Sequence, residues 1–175
     1  MTKTYYCLIL STVTALLSAC ASPRHIVANS RFDPDTARAM LSNGNNTIKG
    51  SALIRQAGGG IVTCAGQEVA LIPATSYATE RIVALYGSPS GGYRNVFGSG
   101  QIIFDDEPPD FKMYIRTTTC DAQGFFKFTE VADGEFYAST SITWRISDYL
   151  QAGGVLAQKV ALSGAEIKEV VLAPR

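Results

Sequence analysis

Histidine is almost absent from this chain: there is one, His25, in 175 residues. It precedes the part in which a folded pattern begins, so no serine there has an imidazole beside it unless the N-terminal segment folds back. Cys-x-x-Cys units are lacking, and four cysteines with one histidine do not assemble a zinc ligand set. The glycine run Gly58-Gly59-Gly60 is followed by neither a Gly-x-Gly-x-x-Gly fingerprint nor a Walker lysine, which argues against a phosphate cradle. No cofactor and no metal are expected. An excess of charge is missing too, with 15 basic residues against 15 acidic ones. Near-neutrality supplies no long-range attraction to nucleic acid or to anionic lipid. No apolar run reaches the roughly 20 residues that a spanning helix needs.

What is present begins at the N-terminus. Lys3, an apolar stretch from Tyr5 to Leu17 and small residues behind it read as an export signal. Leu17-Ser18-Ala19-Cys20 resembles the lipobox of bacterial lipoproteins. That resemblance implies a signal peptide over residues 1–19, removal before Cys20, a diacylglyceryl group on the Cys20 thiol and acylation of the new amino group. The membrane is then a partner through lipid; one chain binds marginally, at about 0.8 kcal/mol per buried CH₂, and several hold firmly. Ala21, where an aspartate would favour retention in the inner membrane, implies carriage to the outer membrane. Cys7 leaves with the signal, so Cys64 and Cys120 remain as an even pair in an exported chain. They either close a disulfide, as an oxidising compartment permits, or stay two buried thiols.

Residues 20–30 read as a short tether. Residues 31–46 read as a short helix: Asp33 caps, Pro34 takes the first helical position and Asp35 adds negative charge to the first turn. Phe32, Ala37, Met40 and Leu41 offer an apolar stripe, and Asn43-Gly44 a stop. From Thr47 the periodicity shifts toward two. Ile48–Arg55, Ile61–Cys64 and Val69–Pro73 are candidate strands, with a reversal at the three glycines. Ile82–Tyr86 reads as a strand or a short helix, and residues 87–100 as a mobile surface excursion. Lys112–Thr119 alternates again, as do Phe125–Thr129 and Phe136–Arg145, with Asp133-Gly134 as a hairpin signal between the last two. After a break at Asp148–Gly154, Val155–Leu162 and Ile167–Leu172 close the pattern. Seven to nine short strands over residues 47–175 predict an all-β sandwich.

Asp121-Ala122-Gln123-Gly124-Phe125-Phe126-Lys127-Phe128, continued by Val131-Ala132-Asp133-Gly134-Glu135-Phe136-Tyr137, resembles the strand-turn-strand motif of carboxypeptidase regulatory-like domains. Asp121 and Gly124 match its opening turn, Phe126 and Phe128 its inward strand, Gly134 its second turn and Phe136 its following aromatic. Ile48–Ala52 and Val69–Pro73 resemble that family's opening strands. The resemblance implies a prealbumin-like (transthyretin-like) β-sandwich, here with a short N-terminal helix and an enlarged middle loop from Ala74 to Phe111. It also implies a domain that stabilises, spaces or binds rather than catalyses. Related hydrolases end in Tyr-Arg-Gly-Ser; Leu172-Ala173-Pro174-Arg175 stands here, so their activity is not carried over.

Four side chains are candidates for binding a partner, an envelope protein or a glycan: Tyr86, Tyr93, Arg94 and Phe97. Aromatic residues and arginine are enriched at interfaces, and the glycines around them allow adaptation. The competing reading folds this loop across its own sheet. Trp144 alternates with Phe136 and Ile142, which predicts core. The stretch Asp105-Asp106-Glu107-Pro108-Pro109-Asp110 lacks calcium-loop spacing and reads as a solvated acidic turn. A carboxylate hydrolase would need Glu68, Glu80 or Glu135 paired in one cleft at about 5–9 Å. The leading expectation is a non-catalytic, lipid-anchored envelope protein with a binding or structural role. An accessory subunit of an envelope complex and a carboxylate-dependent envelope hydrolase are the alternatives.

Overall fold

The computed structural model describes residues 22–174 apart from Val96 and Gly98; the export segment and Cys20 lie outside the described residues. Along the chain come β1 (Arg24–Ile26), α1 (Pro34–Met40), β2 (Asn43–Arg55), β3 (Ile61–Thr63), β4 (Glu68–Pro73), α2 (Ser76–Tyr86), β5 (Gly91–Asn95) and β6 (Ile102–Phe104). A turn of 3₁₀ helix (Phe111–Tyr114), β7 (Arg116–Thr119), β8 (Phe125–Val131), β9 (Gly134–Ser147), β10 (Leu150–Leu162) and β11 (Ile167–Leu172) follow.

Two sheets face each other. In the larger the order is β5-β10-β9-β4-β7. In the smaller, β2 is central, antiparallel to β8 and to β3, and parallel to β11. Alternation decides what lies between them. Ile48, Ala52 and Ile54 of β2 point inward with Phe126 and Phe128 of β8, against Val69, Leu71, Phe136, Ile142, Leu156 and Val160 of the larger sheet. Each such large side chain contributes about 1.5–3 kcal/mol when fully buried. Trp144, expected in the core from its alternation, packs half-buried on its rim. Cys64 and Cys120 sit inside it and are joined, with Cα atoms 5.8 Å apart and a sequence separation of 56. Pro73 ends β4, as a residue without an N–H should.

The stretch from Ala74 to Phe111 is not an enlarged loop. Thr75 Oγ1 accepts the Ala78 N–H at 3.2 Å and so caps α2. Gly87, at φ 74°, ends it with its N–H on the Val83 carbonyl at 2.7 Å; only glycine takes that conformation freely. Ile82 packs on Tyr137 and Ala157. Tyr137 faces away from the main core yet is fully buried, because α2 lays a third layer over that sheet. Ile82–Tyr86 is therefore helix. The excursion after it contains β5, which pairs with β10 from Gln158 to Gly154.

Five further expectations are corrected. The tether ends by Arg24, since β1 pairs in parallel with β6 and the backbone amides of Asn29 and Ser30 donate to Glu80. The helix over 31–46 stops at Met40, because Asn43–Asn46 already belong to β2. Its cap is as expected: Asp33 accepts from the Asp35 and Thr36 amides at 3.0 and 3.2 Å, and Phe32 packs edge-on against Tyr77, Phe111 and Tyr114. Strand structure begins at Arg116, not Lys112, and the break after β9 shrinks to a tight turn at Asp148-Tyr149. Asp133-Gly134 is not a hairpin turn either. Its flanking strands belong to different sheets, so it arches across the sandwich.

That arch is held by a polar residue in the core. Asn46 is 1% exposed, and its Nδ2 donates to the Val131 carbonyl (3.0 Å) and to Asp133 Oδ1 (2.8 Å). Its Oδ1 accepts the Glu166 N–H at 2.9 Å, and Asp133 Oδ1 also accepts the Gly164 N–H at 3.1 Å. One amide thus joins the start of β2, the β8–β9 arch and the β10–β11 turn.

The acidic stretch is not simply solvated. Asp105 pairs with His25 at 2.8 Å, Asp106 accepts the Ala28 N–H at 3.1 Å, and Glu107 pairs with Arg81. The Arg81 guanidinium lies 3.9 Å from the Phe104 ring centre and 4.9 Å from that of Phe111, and donates to the Tyr77 hydroxyl. This cation–π and ion-pair cluster welds α2, β6 and the 3₁₀ turn together.

Candidate functional site

With α2 covering the larger sheet, the outer face of β8-β2-β11 is the broad strand surface left open. Register places Lys127, Lys49 and Glu169 in one row across it, and Phe125, Ser51 and Val171 in the next. Phe125, at the β8 edge of its row, is 57% exposed, a high value for a large aromatic. Its position is built by the turn before it. Asp121 Oδ1 accepts the Gln123 and Phe125 amides, both at 2.9 Å, and Gly124 at φ 85° lets the chain reverse into β8. Beneath, Phe126 fills the space over Gly50, so the floor cannot collapse inward. Thr118 and Asp121 close one side, giving a shallow groove of about 640 Å³. That volume lies within the range of small-ligand sites, about 300–1,000 Å³.

The groove's chemistry is amphipathic. Phe125 and Val171 offer apolar surface, while Lys49, Lys127, Ser51, Thr118 and Glu169 offer donors and acceptors around it. Lys49 and Lys127 stand directly opposite on antiparallel strands, and neither is in an ion pair among the described residues. Like charges so placed cost stability, and a polar ligand that accepts from both offsets that cost.

A solved structure shares this fold. It is the crystal structure of a candidate carbohydrate-binding protein from Pseudomonas aeruginosa, with a TM-score of 0.68 and 27% identity, covering 82% of this chain and 98% of that one. No protein-family model matches the chain, and no curated protein does. The likeness supports a related β-sandwich; it does not extend to the carboxypeptidase regulatory-like family or to a lipid anchor.

Of the four side chains singled out from sequence, Tyr86, Tyr93 and Arg94 are engaged within the domain. Tyr86 packs its ring into the cluster under α2, where burial pushes its hydroxyl pKa up against the opposing Ser139 hydrogen bond. Tyr93 packs on the main core and donates to the Gly153 carbonyl at 3.3 Å. Arg94 donates to the carbonyls of Ser99 and Gly100, closing its own loop. Phe97 is partly exposed beyond β5. Phe125 and its neighbours were missed as a surface, although their outward alternation is readable; what could not be read is that α2 shields one sheet and nothing described shields the other.

Glu68, Glu80 and Glu135 do not share a cleft. Glu68 is exposed on β4, Glu135 pairs with Lys159 at 2.7 Å, and Glu80 binds the N-terminal segment. The Ser30 hydroxyl, then the Asn29 amide, holds the Glu80 carboxyl below its ordinary value of 4.5, the reverse of a general acid. His25 has Asp105 as its hydrogen-bond partner, not a serine. Among the described residues no three His, Cys, Asp or Glu side chains converge to hold a metal.

The Glu80 clamp has a pH signature. Its folded-state pKa is lowered, so its stabilisation is complete above about pH 4.5 and is lost as pH falls through the folded value. The amide resonances of Asn29 and Ser30 are expected to titrate together with a midpoint under 4.5, measured by NMR. A midpoint at or above that value would mean that the carboxylate is not gripped.

Proposed function

We propose that this chain is a lipid-anchored protein of the bacterial envelope whose sandwich binds glycan on the outer face of β8-β2-β11. The reading is one of binding rather than catalysis. Its main support is the exposed Phe125 in the lining of a groove that also carries lysine, hydroxyl and carboxylate groups. A sugar ring presents an apolar face and a polar rim, and that is the pattern of this surface. The related Pseudomonas aeruginosa protein, described as a candidate for carbohydrate binding, adds weight. Anchoring is read from Leu17-Ser18-Ala19-Cys20, and placement in the outer membrane from Ala21.

Two experiments test the two halves. Phe125→Ala removes the platform from an exposed site, so folding should hold while affinity for envelope oligosaccharides falls about tenfold, close to 1.4 kcal/mol. Titration by NMR or calorimetry reads this; an unchanged dissociation constant moves the ligand off this face. Cys20→Ala should shift the protein from the membrane to the soluble fraction of the envelope. Membrane association that persists without Cys20 refutes the acyl anchor.

A further inference from the structure

The β9–β10 hairpin runs past its sheet. β5 ends at Asn95, opposite Gly154, while β10 continues pairing with β9 back to Leu150. The overhang is about four residues, roughly 13 Å at ~3.3 Å per residue. At its tip Ile146 is 59%, Leu150 51% and Tyr149 100% exposed. Phe97, in the connection leaving β5 in the same direction, is exposed as well. Core packing uses none of these side chains. A projecting cluster of large apolar groups on a soluble surface marks a contact with something else.

The chain outside the described residues indicates what that is. The Arg24 N–H donates to the Gln101 carbonyl at 2.8 Å, at the far end of the connection from β5, and Arg94 of β5 holds the Ser99 and Gly100 carbonyls of that connection. The polypeptide therefore enters beside the end of the sheet from which the hairpin projects. Cys20 stands about four residues before Arg24, and an extended chain of that length reaches at most ~14 Å. That reach is enough to match the overhang, so an acyl group on Cys20 and the hairpin tip can meet one lipid surface.

We infer that Ile146, Tyr149 and Leu150 form a second membrane contact, dipping into the bilayer interface that receives the Cys20 acyl chains; this rests on the proposed lipidation. Tyrosine suits that depth, with an apolar ring and a polar end, and Arg145 beside the tip can extend toward phosphate headgroups. Two contacts fix orientation where one would leave the domain swinging. The hairpin then stands on the membrane, and the groove of β8-β2-β11, on the sandwich's flank, is held clear of lipid.

The test uses the processed chain, Cys20 to Arg175, carrying a single acyl chain at Cys20. It is mixed with protein-free vesicles of phosphatidylethanolamine with a minor fraction of phosphatidylglycerol. One acyl chain alone binds marginally, on the order of 10⁴ M⁻¹, so a second contact is measurable. The double variant Tyr149→Ser, Leu150→Ser should partition at least about tenfold less, with an unchanged thermal midpoint because both side chains are exposed. A solvatochromic probe on residue 149 should shift to the blue on adding vesicles. Equal partition of the two forms, with the probe still in water, overturns the membrane contact and leaves a protein partner for the tip. Mass analysis of Cys20 in envelope-purified protein separates the cases: an unmodified cysteine overturns the anchor itself, whereas equal partition overturns the tip alone.

Discussion

Replacing Cys64 and Cys120 together by alanine should cost about 4 kcal/mol and lower the thermal midpoint by on the order of 10 °C. The bridge spans 56 positions, and on the chain-entropy account it stabilises by removing the loop-closure entropy of that length from the unfolded state. Native interactions make the loss specific. The Cys120 amide donates to the Gln67 carbonyl (2.9 Å), and the Gly66 amide to the Cys120 carbonyl (3.1 Å), so the bridge pins the edge of β7 to the entry of β4. Both sulfurs lie in the core, and alanine leaves small voids there. Denaturant unfolding of the double variant measures the change. A loss under 1 kcal/mol would show that packing alone closes this corner. Burial also means that reductant should reach the bridge only as fast as the domain opens.

The second large effect belongs to Asn46. Asn46→Leu removes three hydrogen bonds and strands the buried Val131 carbonyl and the half-buried Glu166 amide. At about 1–3 kcal/mol for each polar group left unpaired, a net loss near 3 kcal/mol is expected. Asn46→Asp sharpens the test. The new carboxylate would lie against Asp133 Oδ1, 2.8 Å from the present amide nitrogen, and could not donate to it. Two carboxylates so close cannot both ionise, so that variant should be weak at neutral pH and regain stability toward acid, where one proton is shared. An Asn46→Asp protein as stable as the parent at pH 7 would contradict this account of the arch.

The β-sandwich was legible because its signals are local. Phe126 and Phe128 alternate with Phe125 and Lys127 whatever they pack against, and Asp33-Pro34 caps a helix from within its own turn. Helix α2 was not legible as such, although Thr75 and Gly87 bracket it, because Ile82-Val83 are β-branched and equally suit a strand. Asp133-Gly134 misled for a related reason. The dipeptide signals a reversal, but whether the next strand pairs beside the last or crosses to the other sheet depends on Asn46, far away in sequence.

The sites divide along the same line. Composition and spacing determined that this is a near-neutral, exported-looking chain of alternating strands, with two cysteines left over that could join. Those properties follow from residue types and from neighbours one or two positions away. Tertiary structure decided that Tyr86 and Tyr93 turn inward, that Glu80 and Asp105 grip the N-terminal segment, and that Phe125 stays in water. Each outcome hangs on which sheet face α2 covers and which it leaves bare, a choice made by contacts between residues tens of positions apart.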